Sequence, residues 1–243
     1  MPRRHLPDPL ASELARARGA IFARERAGEH PHVVYALLAR QGRGRRPIYV
    51  GETRNARRRF DTHLKTMFGG RDDDSARGQR LRALGVAGHR LEMEILEGVP
   101  HRLAALGCEA GWVRALAASG FDLANARAGH GLEPGGAVGA ERVPLSRLRA
   151  LPLSEAVVLE LDLELRCRAG CGAQVLELPV RELAARISGS PPLGQIGGAV
   201  ACAGCGGASL LEPVPDPGLL AALRVEAPPP ERLAAFLDGI GLR

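Results

Sequence analysis

Lysine is almost absent from this chain of 243 residues, since Lys65 is the single lysine among 33 basic side chains. Aromatic residues make up 3% of the chain, so its core must consist mostly of Leu, Ala and Val. No apolar run approaches the roughly 18 residues that a membrane-spanning helix needs. The opening segment MPRRHLPDPL carries charge but neither the apolar stretch nor the small-residue cleavage site of a secretory signal. These absences predict a cytoplasmic protein with no membrane partner.

The composition is otherwise that of a globular protein, with 45% hydrophobic and 25% charged residues, and the length suggests one large domain or two small ones. Residues 1–149 carry 26 basic and 16 acidic side chains, a net charge of +10, whereas residues 150–243 carry 7 and 11, a net charge of −4. An arginine-rich half is typical of a protein that binds phosphates. A GC-rich genome would explain the preference for Arg over Lys equally well, but it would not explain the difference between the halves.

Hydrophobic periodicity predicts the order β-β-α-α-β-α for the first half, preceded by an amphipathic helix. The predicted elements are helix 9–27, strands 32–39 and 47–52, a helix from Thr53, a helix from Ser75 to Leu84, strand 90–99 and helix 101–120. The segment QGRGRR between the first two strands has the glycines and charges of a hairpin turn. We therefore expect a small α+β domain with a three-stranded antiparallel sheet flanked by helices.

The second half is predicted to form a separate, smaller domain. Residues 156–167 alternate like a strand, LPVRELAARI has a helical pattern, and the last part of the chain suits one or two short helices broken by three prolines. The predicted organisation is an N-terminal helix at 1–30, a main domain at 31–130, a Gly/Pro-rich linker at 131–154, a second domain at 155–212 and a helical tail at 213–243.

The chain's two tyrosines, Tyr35 and Tyr49, fall on the two strands of the predicted hairpin. Arg59 follows Tyr49 by ten residues and His63 follows Arg59 by four, which puts the guanidinium and the imidazole one turn apart on the same helix face. A tyrosine on a short strand is most often a core residue. Four such side chains at these spacings favour a functional cluster.

These residues carry a resemblance to the GIY-YIG nuclease superfamily. Val33-Val34-Tyr35 stands where the family has GIY, and Tyr49-Val50-Gly51 stands where it has YIG. The run from Gly51 to His63 is similar to the family's G-x-T-x-N-x-x-x-R-x-x-x-H segment, Cys108–Val113 resembles its glutamate-bearing helix, and Leu123–Asn125 looks like the element that ends in Asn. The resemblance covers about residues 32–130. Val33 replaces the family's Gly, and the hairpin loop is longer than usual.

The resemblance implies a metal-dependent endonuclease that hydrolyses DNA phosphodiester bonds. Phosphodiester hydrolysis needs a base for water, positive charge on the phosphate oxygens and stabilisation of the leaving alkoxide. By analogy with the family, Glu109 would hold a Mg²⁺ or Mn²⁺ ion, and Arg59 would contact the scissile phosphate. Tyr35 or Tyr49 would activate water with help from His63, and Asn125 would orient a neighbour or the substrate.

Further basic side chains are candidates for contacts to the nucleic-acid backbone. They are Arg43, Arg45 and Arg46 in the hairpin loop and Arg57, Arg58 and Lys65 on the following helix. For Arg57 and Arg58, a solvated helix face is an equally good interpretation. The competing function is a non-catalytic nucleic-acid-binding or scaffold module, although such a module would be free to lose the carboxylate of Glu109.

Two closely spaced cysteine pairs predict a metal site in the second half. Cys167 and Cys171 form the first pair and Cys202 and Cys205 the second, each with Gly after its second Cys to allow a tight turn. Four thiolates suit a structural Zn²⁺ ion, and the segment resembles a zinc ribbon. A redox Cys-x-x-Cys pair is the alternative. Because this half is acidic, we expect a ribbon to contact a protein partner at least as readily as DNA.

Overall fold

The computed structural model describes residues 30–69, 73–125, 133–134, 141–173 and 175–241. They divide into two units, the first containing the residues up to Arg142 and those from Ala222 onward, the second containing Val143–Ala221. The predicted helix at 9–27 and the glycine-rich start of the predicted linker lie largely outside the described residues. The return of the chain to the first unit differs from the predicted separate tail at 213–243.

The first unit begins with the predicted order of strands and helices. The elements are β1 (His32–Gln41), β2 (Gly44–Thr53), α1 (Ala56–Met67), α2 (Ala76–Val86), β3 (Arg90–Val99), α3 (Arg102–Ala118) and the two-residue strands β4 (Glu133–Pro134) and β5 (Glu141–Arg142). The sheet has the order β2-β1-β3, with both pairings antiparallel. The prediction of a three-stranded antiparallel sheet flanked by helices is therefore confirmed.

Both faces of the central strand β1 are buried, which explains why its sequence is continuously apolar instead of alternating. One face presents Tyr35 and Leu37 to a core formed with α1 and α2. The other presents Val34, Ala36 and Leu38 to a core that includes α3. The ring of Tyr35 and the buried residues of α1 thus lie on the same side of the sheet.

The helices on the tyrosine side begin at side-chain caps, of which the sequence predicts the one at Ser75. The carboxamide of Asn55 accepts a hydrogen bond from the Arg58 backbone N–H at 2.8 Å, which starts α1. The hydroxyl of Ser75 accepts one from the Gly78 N–H at 3.1 Å, which starts α2. These caps fix the helix that carries Arg59 and His63 at the end of β2.

The second unit contains a second three-stranded antiparallel sheet among short helices. Its elements are a 3-10 helix (Leu145–Ala150), α4 (Leu153–Val158), β6 (Asp162–Cys167), β7 (Leu176–Pro179), α5 (Val180–Arg186), α6 (Leu193–Gly198), β8 (Ser209–Pro213) and α7 (Pro217–Ala222), whose last residue already belongs to the first unit. The sheet order is β7-β6-β8. The predicted helix in LPVRELAARI is confirmed as α5.

The prediction of one strand over residues 156–167 is wrong. Helix α4 occupies its first part, and β6 begins only after Glu160, whose φ of +52° turns the chain. Pro152 precedes the helix in an extended conformation, and Leu153 and Ala156, three residues apart on one helix face, are both buried. Packing of that face overrides the alternating pattern of the sequence.

After α7 the chain returns to the first unit and ends in α8 (Pro230–Gly239), so the expected helices on either side of the prolines are confirmed. Phe236 of α8 packs edge-to-face on Trp112 of α3, with ring centroids 5.8 Å apart. Before α8, the segment 224–227 pairs with β5, because Arg224 bridges to Arg142 and the Val225 N–H donates to the Glu141 carbonyl, and it lies against α3 at Gly107 and Gly111. In the described part of the chain, no helix is both long and apolar enough to cross a membrane.

Candidate functional site

Three rings from β1, β2 and α1 meet on one side of the first sheet. The ring centroids of Tyr35, Tyr49 and His63 are 5.8 to 6.3 Å apart, so they form a nearly equilateral triangle. Tyr35 lies opposite Gly51 in the β1–β2 register. A Cβ at Gly51 would lie 2.6 Å from the Tyr35 Oη and 2.7 Å from the Tyr49 ring, so the cluster requires glycine there.

A series of hydrogen bonds runs through Tyr35. The Arg59 Nε–H donates to the Tyr35 Oη at 3.1 Å, and the same oxygen lies 2.8 Å from the His63 Nε2. A guanidinium can only donate, so the Tyr35 oxygen accepts from Arg59. Towards His63 the Tyr35 hydroxyl donates when the neutral ring carries its proton on Nδ1 and accepts when the proton is on Nε2.

Burial keeps this cluster neutral. Burial, followed by the charges of Arg59 and Arg77, lowers the pKa of His63 to about 2, against a small opposing effect of Asp73. Burial likewise raises the pKa of Tyr35, as does the neighbouring Tyr49. The imidazole is therefore neutral, so one of its two ring nitrogens is a hydrogen-bond acceptor.

The structure adds an arginine that the sequence did not single out. The guanidinium of Arg77, on α2, lies 5.4 Å from the centroid of the Tyr49 ring and binds the Asp73 carboxylate at 2.7 Å. Arg77 thus lies beside Tyr49, whereas Arg59 interacts with both tyrosines. No motif spacing links Arg77 to Tyr49, because the contact depends on how α2 packs.

Glu109 is buried on α3, with 3% of its surface exposed, although that helix covers the opposite face of the sheet. Its negative charge is near enough to raise the pKa of Tyr35 and, after the effect of burial, of Tyr49. A buried carboxylate is a suitable ligand for a hard divalent cation. The two tyrosines, Arg59 and His63 thus lie in direct contact. Glu109 is related to them by the effect of its charge on the pKa values of the two tyrosines.

Asn125 is used to hold the edge strand β2. Its side chain accepts from the Val50 N–H at 3.2 Å and donates to the Val50 carbonyl at 2.6 Å, in place of a further strand. Val50 lies between Tyr49 and Gly51, so Asn125 fixes the backbone that carries one ring and makes room for the other.

The predicted nucleic-acid contacts fall into two groups. Arg43 and Arg46 are exposed at the hairpin tip, at the opposite end of β2 from Thr53, which is roughly 30 Å away for a strand of this length. Arg45 differs from the expectation, because Glu92 at 2.8 Å, Glu94 and the Gly239 carbonyl already bind its guanidinium. On α1, the remaining candidates are exposed, namely Arg57, Arg58 and Lys65.

A cleft lined by arginines opens beside Arg59, and the sequence missed most of it. It consists of two adjoining cavities, which we call the first and second lobes, of about 250 and 380 Å³. Both lobes share Thr53, Arg54 and Arg59; His32, Glu52 and Arg102 complete the first, and Asn55, Arg58 and Thr62 complete the second. Arg59 thus faces the tyrosine cluster and the cleft.

In the second unit the four predicted cysteines come together and could hold a metal such as zinc. The Sγ atoms of Cys167 and Cys205 are 3.5 Å apart, those of Cys171 and Cys202 are 3.6 Å apart, and all four lie within 4.8 Å of one another. Zn–S bonds of about 2.3 Å give a tetrahedron with edges of about 3.8 Å, which these separations approach.

The turns of the cysteine cluster have the backbone that the sequence predicts. Gly172 and Gly206, which directly follow the second cysteine of each pair, have φ values of +76° and +72°. That left-handed conformation favours glycine. Among the described residues, this is the one group of three or more His, Cys, Asp or Glu side chains placed to hold a metal ion.

No family model, curated protein or solved structure matches the chain, so the function is inferred from the geometry of the tyrosine cluster, the cleft and the cysteine cluster.

Proposed function

We propose that the first unit is a metal-dependent endonuclease of the GIY-YIG type, which hydrolyses phosphodiester bonds in DNA. The observation that carries the proposal is the hydrogen-bonded series Arg59–Tyr35–His63 beside an arginine-lined cleft. Positive charge for a phosphate and a positioned tyrosine hydroxyl for the attacking water thus occur in one place. DNA, in preference to RNA, follows from the resemblance alone.

In this proposal each side chain has a role that its contacts support. Arg59 reaches the cleft and neutralises the charge that develops on the scissile phosphate. Tyr35 or Tyr49 activates the attacking water by accepting a hydrogen bond from it, and the neutral ring of His63, whose Nε2 lies 2.8 Å from the Tyr35 Oη, holds that hydroxyl in place. Burial raises the pKa of Tyr35, so its hydroxyl stays protonated and orients the water without forming a phenolate.

Glu109 is the proposed ligand for Mg²⁺ or Mn²⁺. Such an ion is commonly held by one or two carboxylates together with water and substrate phosphate oxygens, and a single buried glutamate fits that donor set. When bound, the ion supplies Lewis-acid stabilisation of the phosphate and the leaving oxygen. The four cysteines are proposed to hold a structural Zn²⁺, because four thiolates leave no position open for a substrate.

The second candidate function is a nucleic-acid-binding module without turnover. One observation favours it: Tyr35 is fully buried and its hydroxyl is engaged on both sides, as it would be in a purely structural polar network. The cleft would then bind the nucleic-acid backbone with no chemistry behind it.

Cleavage assays separate the two candidates. The full chain is incubated with supercoiled plasmid and with branched DNA in Mg²⁺ or Mn²⁺, beside Glu109→Gln and a control, Glu231→Gln, an exposed carboxylate in the first turn of α8. We expect nicking by the wild type and the control, and a loss on the order of a hundredfold or more in Glu109→Gln, since several kcal/mol of charge stabilisation is removed. Binding without nicking by the wild type would favour the module, and nicking that survives Glu109→Gln would overturn the assigned site.

A further inference from the structure

The cleft beside Arg59 has a second half that the proposed chemistry does not use. Hydrolysis at Arg59 needs one phosphate, whereas this residue lines two cavities, the first and second lobes. Since a water molecule takes about 30 Å³ in the liquid, each lobe has room for a phosphate group with several waters. The extra space therefore calls for a ligand with more than one anionic group.

We propose that the two lobes bind neighbouring phosphates of one DNA strand, with Arg102 and Arg54 holding the phosphate in the first lobe and Arg58 and Arg59 the one in the second. The inference rests on the proposed function and adds a subsite to it. It also places the main binding surface for the nucleic acid at the Thr53 end of β2 and not at the hairpin tip.

The charges that line the cleft support an anionic ligand in both lobes. The second lobe has three arginines and no carboxylate among its lining residues, and the first has three arginines with Glu52 and His32. Glu52 accepts from the Arg102 Nε–H at 3.2 Å, which fixes that guanidinium in the wall of the cavity. An arginine held in this way loses little further side-chain freedom when it binds a phosphate.

The uncharged lining residues indicate that the backbone, and not the bases, is recognised. They are Thr53, Asn55 and Thr62, and apart from the buried ring of His32 no aromatic or aliphatic side chain among the described residues lines either lobe. Such a surface offers hydrogen bonds and charge but no platform on which a base could stack. Contacts to phosphates position a strand without reading its sequence, so binding in the cleft should be independent of sequence.

Binding measurements without Mg²⁺ and Mn²⁺, which prevents turnover and leaves the zinc site intact, test the subsite. A fluorescent oligonucleotide is titrated with the full chain between about 50 and 200 mM salt, for the wild type, Arg54→Gln and Arg102→Gln, with Arg186→Gln, an exposed arginine in the last turn of α5, as the matched control. We expect each cleft variant to weaken binding several-fold on all sequences alike. The plot of log association constant against log salt concentration should become less steep by about 1 in each cleft variant, while the control keeps the wild-type slope.

Two further measurements keep the result unambiguous. Arg102→Lys preserves the charge and should retain the slope, and equal melting temperatures across the set exclude a folding defect as the cause of weaker binding. Cleft variants that bind as the control does would overturn the subsite, as would an acidic polypeptide that competes as well as DNA of equal charge. Nicking by the wild type, measured in parallel, reports on the proposed function separately. A weaker salt dependence in the cleft variants, with no nicking by the wild type, would support the subsite and refute the proposed nuclease activity.

Discussion

The neutrality of His63 is the property on which the residue-level chemistry depends. Its ring is 1% exposed, and its nearest charged groups are the guanidinium groups of Arg59 and Arg77, with Asp73 acting in the opposite direction. A positively charged imidazole would be repelled from this position, and both of its ring nitrogens would be donors. Burial and two arginines therefore keep the ring neutral, with one nitrogen able to accept a hydrogen bond.

The same burial predicts how stability depends on pH. The pKa of His63 falls from an ordinary value near 6.5 to about 2, so between these values the unfolded state binds one proton more than the folded state. The free energy of unfolding should therefore rise with pH up to about 6.5, by as much as about 1.4 kcal/mol per pH unit from this group. Urea titrations of the wild type and His63→Gln from pH 4.5 to 7.5 measure it. Equal slopes in the two proteins would contradict the prediction.

Much of this cluster could be predicted from the sequence, because Tyr35, Tyr49, Arg59 and His63 occur at spacings set by a hairpin and a helix. Arg77 could not, since its position over Tyr49 depends on the angle at which α2 packs. The pairing of Arg45 with Glu92 and Glu94 was missed for a similar reason: it is formed across a sheet between residues almost fifty positions apart. Local periodicity carries no information on such contacts.

At the scale of elements, the segment 224–227 packs against one face of α3. Cβ atoms at Gly107 and Gly111 would lie 2.4 Å from the Arg224 carbonyl oxygen and 1.8 Å from that of Glu226. These glycines are four residues apart and so share one face of the helix, while Glu109, two positions from each, lies on another face. The segment therefore fixes the helix that carries the proposed metal ligand.

Substitution of Gly111 by Ala tests that contact. The added methyl group meets a backbone carbonyl that cannot move without displacing the segment, so we expect a loss of about 1–3 kcal/mol in the free energy of unfolding. Gly239→Ala is the control, because a Cβ at this last residue of α8 meets nothing within 4 Å and should be neutral or slightly stabilising. Denaturant unfolding measures both. Equal free energies of unfolding for the two variants would show that the segment 224–227 moves away from α3 without loss of stability.

The failure of the prediction at 156–167 shows where pattern reasoning stops at this scale. The alternation of Val, Leu and acidic residues suits a strand throughout, and β6 confirms it from Asp162 onward. Before that point, the backbone of Leu153 donates to Pro191 and its side chain is buried, so a helical turn is selected by contacts with residues nearly forty positions away. Short α6 was missed too, because its glycines lower helix propensity while Gly197 allows close packing on β8.

At the scale of the whole molecule, the cysteine cluster should decide the stability of the second unit. If it holds a structural ion, metal analysis should find one Zn²⁺ per chain, and a strong chelator should remove it and lower the melting temperature. Cys205→Ser should lose the metal in the same way. Cys108→Ala is the matched control, because this buried thiol lies in the first unit outside the cluster and its loss should leave the zinc content unchanged. A chain isolated without zinc, unresponsive to added zinc, would refute the assignment.

The path of the chain also has a consequence for synthesis on the ribosome. The segment that covers Gly107 and Gly111 follows Val143–Ala221 in the polypeptide, and these 79 residues take on the order of 4–16 s to translate. During this interval the nascent chain already contains α3 but not the residues that cover it. The first unit can complete its packing only after the second has emerged, so newly made chains pass through a stage in which this helix is open to chaperones or to misassembly.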